Sequence, residues 1–221
     1  MAQSSGRVPK QPAPAPGAAP IVYVVDDDDA AREYVRWLLE SAGWNVRSYD
    51  GAQDFLDDYD PALPGCLVTD VRMPGLSGLD LQRELAERNI RLPIIMISAF
   101  AEVPMAVRAM RDGAMDFLEK PFDGQTLIER VRSAVETDRR QREEQVERDD
   151  VAANLAKLTP RQLSVLEGLT AGKPSKIIAA ELGVSPRTVD VHRFRLMHQL
   201  GAQSLPDLFR RVLLVRGGSS S

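Results

Sequence analysis

The sequence predicts two domains of different class: an α/β domain with a doubly wound, five-stranded parallel sheet, and a small all-α domain of four helices. Three observations support this prediction. From Ile21 onward, short apolar runs alternate with amphipathic stretches, which is the pattern of strand-helix units in a parallel sheet. From Leu158 to Val215 the apolar periodicity is only helical. The chain has 221 residues, which is more than one domain of typical size.

The predicted strands of the first domain are short apolar runs bounded by turn residues. They are IVYVV at 21–25, a run near Val46, CLVT at 66–69, PIIMIS at 93–98 and MDFLE at 115–119. The amphipathic stretches between them predict helices, among them residues 32–41, 79–88 and 103–111. Five strands and five helices in roughly 120 residues suit a doubly wound domain.

A charged helical segment is predicted over residues 125–150, because apolar positions become rare after Val135 while charged residues continue. We interpret it as a solvated linker helix, with a dimer-forming coiled coil as the alternative. Beyond it, Gly172, Gly183 and Gly201 interrupt the helical pattern where helix ends are expected. The second domain is therefore predicted to contain four short helices.

Other features of the sequence predict where in the cell the protein is located. Residues 1–20 are rich in proline and alanine, lack the apolar run of a signal peptide and predict a disordered tail. No stretch of about 18 apolar residues is present, so we expect a cytoplasmic protein without a membrane partner. Cys66 is the only cysteine, which excludes an intrachain disulfide and a zinc site built from cysteines.

Charge is distributed unevenly between the two domains. Residues 151–221 contain ten Lys and Arg against four Asp and Glu, a net charge of +6. Since the whole chain carries −4, residues 1–150 carry −10. This asymmetry favours a basic module that meets a polyanion, joined to an acidic module that could hold a cation.

Polar side chains are placed at the ends of four predicted strands. Ligands of an open parallel sheet bind outside the carboxyl ends of its strands. Asp26 and Asp27 follow the first strand, Asp70 the third and Lys120 the fifth, while Ser98 ends the fourth. Three converging carboxylates would repel one another by about 3 kcal/mol per pair at an effective dielectric of about 20, which favours a bound cation. A helix N-cap with excess surface charge is the alternative interpretation.

The chemistry of these residue types points to phosphoryl transfer. Oxygen ligands with open water positions suit Mg²⁺, which binds carboxylates together with a phosphoryl group. Lys120 supplies a charge and Ser98 a hydroxyl for the phosphoryl oxygens. Asp70 is the candidate nucleophile, because a carboxylate can attack a phosphoryl donor.

Four segments of the first domain closely resemble the receiver domain of two-component response regulators, over about residues 21–136. They are VVDDD, TDVRMPGLSG, ISAFAEVPMAV and DFLEKPF, in the order and spacing of that family. The resemblance implies a flavodoxin-like strand order and phosphorylation by a sensor histidine kinase. It implies aspartyl autophosphorylation and dephosphorylation only, so the protein is not expected to be an enzyme in the wider sense.

The resemblance also assigns roles to single residues. Asp70 is the implied phosphoacceptor, and the peptide bond before Pro121 is expected to be cis. The implied magnesium ligands are Asp26, Asp27, Asp70 and the backbone carbonyl of Arg72. The implied phosphoryl-binding and switch residues are Ser98, Lys120 and Phe117. Phosphorylation would draw the hydroxyl of Ser98 inward and let Phe117 rotate.

The same resemblance implies a dimerisation face around the predicted fourth helix. In similar regulators this face, here residues 103–117, mediates dimerisation. The candidate residues are Val107, Met110 and Arg111. Their alternative interpretation is the ordinary core and surface of one helix.

The second domain, from LTPRQLSVLEGL to GAQSLPDL, resembles the LuxR/FixJ-type helix-turn-helix domain along nearly its whole length. Ser185 predicts an N-cap and Pro186 a first helical position, so residues 187–200 form the recognition helix. The residues expected to contact DNA are Lys176, Arg187, Thr188, Asp190, Val191, Arg193, Phe194 and Arg195. Arginines suit phosphates or guanine, Asp190 suits cytosine, and apolar side chains suit a thymine methyl group.

The two resemblances together predict a response regulator transcription factor. The expected partners are a cognate sensor histidine kinase, double-stranded promoter DNA, a second copy of the chain on phosphorylation, and RNA polymerase. The expected limits are 1–20 for the disordered tail, 21–136 for the receiver domain, 137–157 for the charged helical linker, 158–216 for the helix-turn-helix domain, and 217–221 for a second disordered tail.

Four other functions are less consistent with the residues. A ligand-sensing or phosphorylation-independent LuxR-type regulator shares the DNA-binding end but has no use for the acidic pocket. A phosphotransfer enzyme of the haloacid dehalogenase type needs a second Asp where Arg72 stands. A flavin-binding module needs a phosphate-cradling turn where residues 26–29 are four aspartates. A receiver that acts without DNA is disfavoured by the basic second domain.

Overall fold

The computed structural model describes residues 18–100 and 102–216, which divide between Arg142 and Glu143 into two compact units. Most of the predicted N-terminal tail, residues 1–17, and the predicted tail at 217–221 lie outside the described residues. Within the described residues, no helix has both the length and the apolar character needed to cross a membrane.

The described part of the first unit contains a five-stranded parallel sheet in the order β2-β1-β3-β4-β5. This confirms the predicted α/β class and strand order. The strands are β1 (Ile21–Val25), β2 (Asn45–Tyr49), β3 (Gly65–Asp70), β4 (Ile94–Ser98) and β5 (Asp116–Glu119). The predicted runs agree with these bounds to within about a residue at each end, because each run is apolar and bounded by turn residues.

Helices cover both faces of the sheet. They are α1 (Asp29–Ser41), α2 (Ala52–Asp58), α3 (Gly78–Glu87), α4 (Val103–Arg111) and α5 (Gly124–Leu155). The first helix begins three residues before the predicted position, because the side chain of Asp28 caps it by accepting from the N–H groups of Ala30 and Ala31.

Two hydrophobic cores pack on opposite faces of the sheet, and β1 contributes to both. Tyr23 and Val25 face one core, whereas Val22 and Val24 face the other. All four side chains are buried, since both faces of a parallel sheet are covered by helices. The three central strands β1, β3 and β4 are therefore mostly apolar. Their last residues lie at the carboxyl edge of the sheet.

The second unit confirms the predicted four short helices after residue 158. They are α6 (Pro160–Thr170), α7 (Ser175–Leu182), α8 (Pro186–Gln199) and α9 (Leu205–Arg216). Gly183 ends α7 with a φ of 64°, a left-handed conformation that glycine adopts without strain. The side chain of Ser185 then caps α8 by accepting from the N–H of Thr188.

The segment at 137–157 differs from the expected solvated linker. It is mostly a continuation of α5, and Asp138 and Arg142 are buried in the first unit, which reaches Arg142 rather than residue 136. Val151 is buried in the second unit. Apolar periodicity missed this burial because two of the buried side chains are charged and neutralise each other.

Candidate functional site

Three charged side chains meet at the carboxyl edge of the sheet. The Nζ atom of Lys120 lies 2.7 Å from Oδ2 of Asp26 and 2.8 Å from Oδ1 of Asp70. Asp26 is 3 % exposed and Asp70 is 8 % exposed. The site is therefore a pair of buried carboxylates bridged by one ammonium group.

Backbone N–H groups fix the second oxygen of each carboxylate. The N–H of Asp28 donates to Oδ1 of Asp26 at 3.0 Å, and the N–H of Arg72 donates to Oδ2 of Asp70 at 2.6 Å. Each carboxylate thus has one oxygen on Lys120 and one on the turn that follows its own strand. Both side chains are oriented before any ligand binds.

Lys120 is positioned by the strand next to it and by its charge partners. Its N–H donates to the carbonyl of Ser98 at 2.8 Å, and the bond to Pro121 is cis, the isomer that the resemblance implies. Burial acts to lower the pKa of Lys120, but hydrogen bonds and charges of Asp26 and Asp70 outweigh it and raise the pKa above 10.5. The ammonium therefore stays charged at neutral pH.

Ser98 and Phe117 lie on β4 and β5, the strands that follow β3 in the sheet. Ser98 is buried at the end of β4, where its hydroxyl donates to the carbonyl of Phe100 and accepts from the N–H of Phe100, both at 3.2 Å. Phe117 is partly buried and packs against the core cluster that contains Tyr23. The hydroxyl of Ser98 is thus engaged with its own loop.

The carboxyl edge of the sheet offers oxygen donors for a divalent cation. Across residues 18–100 and 102–216, no group of three or more Asp, Glu, His or Cys side chains is arranged to hold a metal. Asp26 and Asp70 are brought together, whereas Asp27, in the bend that follows β1, is exposed. The repulsion expected from converging carboxylates is offset here by Lys120. The donors brought together here are the carboxylate oxygens of Asp26 and Asp70, and oxygen donors chemically suit Mg²⁺.

The two loops beside Asp70 are joined by side chains that sequence analysis did not assign. Arg72, whose backbone alone was considered, places its guanidinium 3.2 Å from Oε1 of Glu102 and 5.2 Å from the ring centroid of Phe100. These residues are exposed and separated by about 30 positions, so no spacing signal could reveal the contact.

The predicted dimerisation face is exposed. Val107 and Met110 on α4 are 53 % and 45 % exposed, and Arg111 is exposed beside them. Val103 at the start of the same helix is also largely exposed. An apolar surface of this kind is available for contact with another molecule.

The predicted DNA-contacting residues lie mainly on one side of α8. Val189, Leu196 and Leu200 are buried in the core of the second unit. The opposite face carries exposed side chains, most of all Phe194, which is 73 % exposed. The other exposed candidates are Lys176, Arg187, Asp190, Val191 and Arg195.

Three of the candidates have contacts within the unit. Thr188 contacts the Ser185 side chain at the start of α8. Asp190 accepts from the hydroxyl of Ser175 at 3.1 Å, which links α8 to α7. Arg193 is half-buried and lies 3.8 Å from Asp190. The face is thus basic and exposed, with one acidic residue tied to the neighbouring helix.

Comparison with known proteins agrees with the description of the first unit and of the second unit. Residues 22–132 match the family described as response regulator receiver domain, and residues 156–212 match the family of bacterial regulatory proteins called luxR. The transcriptional regulatory protein FixJ of Azorhizobium caulinodans is 46 % identical over 193 residues, covering 87 % of this chain and 92 % of FixJ. This chain belongs to the FixJ-type response regulators.

Further relatives and solved structures match this chain over most of their length. The transcriptional regulatory protein TdiR of Thauera aromatica is 41 % identical, covering 92 % of this chain and 88 % of TdiR. Among solved structures, the response regulator StyR has a TM-score of 0.75 at 41 % identity, covering 88 % of this chain and 98 % of StyR. Full-length FixJ from B. japonicum has a TM-score of 0.56 at 40 % identity, covering 90 % and 98 %. FixJ-type regulators act as transcription factors, which confirms the predicted function at this level.

Proposed function

We propose that this FixJ-type regulator accepts a phosphoryl group on Asp70 from a sensor histidine kinase. The contact between Oδ1 of Asp70 and Nζ of Lys120, at 2.8 Å, is the observation that carries the proposal. A carboxylate oxygen of Asp70 attacks the phosphorus of phosphohistidine, an O–P bond forms, the N–P bond breaks, and the leaving imidazole takes up a proton. Lys120 then interacts with the charge of the phosphoryl oxygens.

Magnesium is the cofactor that suits this pocket. Asp26, Asp27, Asp70 and the carbonyl of Arg72 would hold it, and when bound it would supply positive charge against the phosphoryl oxygens. The residues of the chain itself orient the nucleophile, because Asp70 is already held by Lys120 and by the N–H of Arg72.

The response to phosphorylation is proposed to pass through β4 and β5. New anionic oxygens on Asp70 compete with the carbonyl of Phe100 for the hydroxyl of Ser98. Movement of Ser98 changes the space beside Phe117, and with it the surface of α4. We propose that the exposed Val107, Met110 and Arg111 then meet a second copy of the chain.

The output is proposed to be binding of promoter DNA in the cytoplasm. A homodimer presents two copies of α8 to two half-sites of double-stranded DNA, with RNA polymerase as a further partner. The exposed arginines of α8 suit phosphates and guanine, and the exposed Val191 and Phe194 suit thymine methyl groups.

The test is phosphorylation of the full chain with acetyl phosphate and Mg²⁺. We expect the wild type to gain one phosphoryl group and to sediment as a dimer, and Asp70→Asn to do neither while keeping its fold. Asp57→Asn, on the exposed surface of α2, is the matched control and should behave as wild type. Dimerisation of Asp70→Asn after treatment, or a labelled protein that stays monomeric, would refute this account and favour a phosphorylation-independent LuxR-type regulator.

A further inference from the structure

A buried ion pair lies in α5 beyond the residues that match the receiver family. Asp138 is 1 % exposed and Arg142 is 7 % exposed, and Nε of Arg142 lies 2.7 Å from Oδ2 of Asp138. The two residues are one helical turn apart, so α5 presents both on the same side. Neither belongs to the carboxyl edge of the sheet that carries Asp70.

This pair holds the connection between α2 and β3. Arg142 donates from Nη1 to the carbonyl of Pro61 at 2.8 Å and from Nη2 to the carbonyl of Leu63 at 3.0 Å. Asp138 accepts from the N–H of Gly65 at 2.9 Å, at the first residue of β3. We call these five residues the α5 clamp: Pro61, Leu63, Gly65, Asp138 and Arg142.

Gly65 is required at this point of the clamp. A Cβ atom there would lie 1.9 Å from the carbonyl oxygen of Ile21 on β1, so no larger residue fits without displacing the backbone. The N–H of this same residue donates to Asp138. The clamp is thus built into the start of β3.

The energetics of the clamp argue that it fixes geometry. Burial raises the pKa of Asp138, although the hydrogen bonds from Arg142 and Gly65 act in the opposite direction. A buried ion pair adds little net stability because desolvation offsets the attraction, but removing one partner leaves an uncompensated charge. By contrast, the neighbouring pair of Glu136 and Arg139 in the same helix is exposed. The buried pair is therefore suited to specifying where this part of α5 packs.

A single strand connects the clamp with the proposed phosphoacceptor. β3 begins at Gly65, which Asp138 holds, and ends at Asp70. Five residue steps of a parallel strand span about 17 Å, and all six residues of β3 are buried. A rigid strand in a packed core therefore separates the clamp from the pocket, with no mobile loop between them.

We propose that Asp138 and Arg142 are positioning residues that anchor α5 to the start of β3 and thereby couple the state of Asp70 to DNA binding. The polypeptide connection to the second unit then begins at Glu143 instead of at residue 137. The coupling part of this inference rests on the proposed function, whereas the anchoring part does not.

The anchoring is tested by hydrogen exchange of the full chain. In Asp138→Ala, amides of residues 139–142 should exchange at least about tenfold faster than in wild type, because the helix loses its buried anchor. Asp138→Asn keeps an acceptor oxygen for Gly65 and Arg142 but loses the negative charge, so its protection should lie between those of Asp138→Ala and wild type. Glu136→Gln, which removes only the exposed pair, should match wild type. Wild-type protection in Asp138→Ala would overturn the anchoring.

The coupling is tested by duplex DNA affinity with and without acetyl phosphate. The wild-type gain on phosphorylation is expected between about 5-fold and 150-fold, and Asp138→Ala should reduce it to within about twofold while phosphoryl uptake on Asp70 is unchanged. If Asp138→Ala takes up no phosphoryl group, Arg142→Lys is the variant that tests the coupling. It keeps the positive charge but loses the guanidinium group that donates to two carbonyls. The coupling would be overturned if the deciding variant kept the full wild-type gain in DNA affinity. It would also be overturned if Glu136→Gln lost as much of this gain as that variant.

The proposed function can fail separately. If wild type takes up no phosphoryl group or shows no gain in DNA affinity, the proposed function is wrong, while the exchange experiment still decides whether the clamp anchors α5.

Discussion

The proposed phosphoacceptor pocket and the proposed DNA-binding face use charged residues in opposite ways. In the pocket, Asp26, Asp70 and Lys120 are largely withdrawn from water and joined by contacts of 2.7 and 2.8 Å. On α8, by contrast, Arg187 and Arg195 are exposed, and the most exposed apolar side chain is Phe194.

This comparison indicates that the fold fixes the side chains of the pocket, whereas the side chains of the α8 face take their final positions against a partner. Chemistry on a phosphoryl group needs fixed positions, which buried hydrogen-bonded side chains provide. Reading DNA needs charge and reach at the surface, and exposed side chains take their final conformation against phosphates and base edges. Substitutions in the pocket should therefore change stability, whereas substitutions on the face should change only affinity.

The largest effect is expected from removing the cation of the pocket. Lys120→Gln leaves two buried carboxylates without their ammonium partner, so the free energy of unfolding should fall by about 3 kcal/mol in urea titrations without divalent cations. Lys173→Gln is the control, because Lys173 pairs with Glu181 at an exposed site and should contribute less than about 1 kcal/mol. Equal losses in the two variants would remove the contrast between buried and exposed charge.

The next effect concerns the exposed aromatic residue of α8. Phe194→Ala should weaken binding to a cognate duplex by about tenfold, or 1.4 kcal/mol, because an apolar contact in the major groove is lost. The free energy of unfolding should change by less than about 0.5 kcal/mol, since the side chain is exposed. Leu213→Ala, at an exposed position on α9, should change neither quantity. A large loss of stability in Phe194→Ala would show that this residue supports the fold instead.

A smaller effect is expected from a single phosphate contact. Arg195→Ala should reduce the slope of log affinity against log salt by about 1 and weaken binding similarly across sequences. Arg83→Ala, in the first unit, should leave the slope unchanged. An unchanged slope in Arg195→Ala would place Arg195 away from the phosphate backbone.

The smallest effect is a pH dependence of the pocket. Because the pKa of Lys120 is raised in the folded protein, its contribution to stability is complete below 10.5 and is lost as pH rises through the raised value. The stability difference between wild type and Lys120→Gln should be constant from about pH 7 to about pH 9 and narrow above 10.5. Unfolding curves at several pH values check this, and a difference that narrows below pH 9 would contradict the raised pKa.

Most of the fold could be predicted from sequence because its signals are local. Strand runs, Gly183 and the Ser185 cap each lie within a few residues of the feature they determine. The pocket could also be predicted, since the ends of parallel strands meet at one edge of the sheet. The pairing of Asp26 and Asp70 through Lys120 is the geometry that this rule anticipates.

The remaining features depend on contacts between distant residues. Arg142 binds carbonyls that are 79 and 81 positions away, and a carbonyl is present in every residue, so the sequence holds no signal for this contact. The ion pair of Arg72 with Glu102 likewise joins residues that are 30 positions apart. The burial of residues within 137–157 was missed because a charged pair reads as solvated in any hydropathy pattern.

The most direct test of the account measures whether phosphorylation of Asp70 controls DNA binding. The affinity of the full chain for promoter duplex at fixed salt is compared before and after acetyl phosphate with Mg²⁺, in wild type and in Asp70→Asn. The account predicts that wild type gains at least about fivefold and that Asp70→Asn gains nothing. An equal gain in both proteins, or no gain in a wild-type protein shown to carry the phosphoryl group, would contradict it.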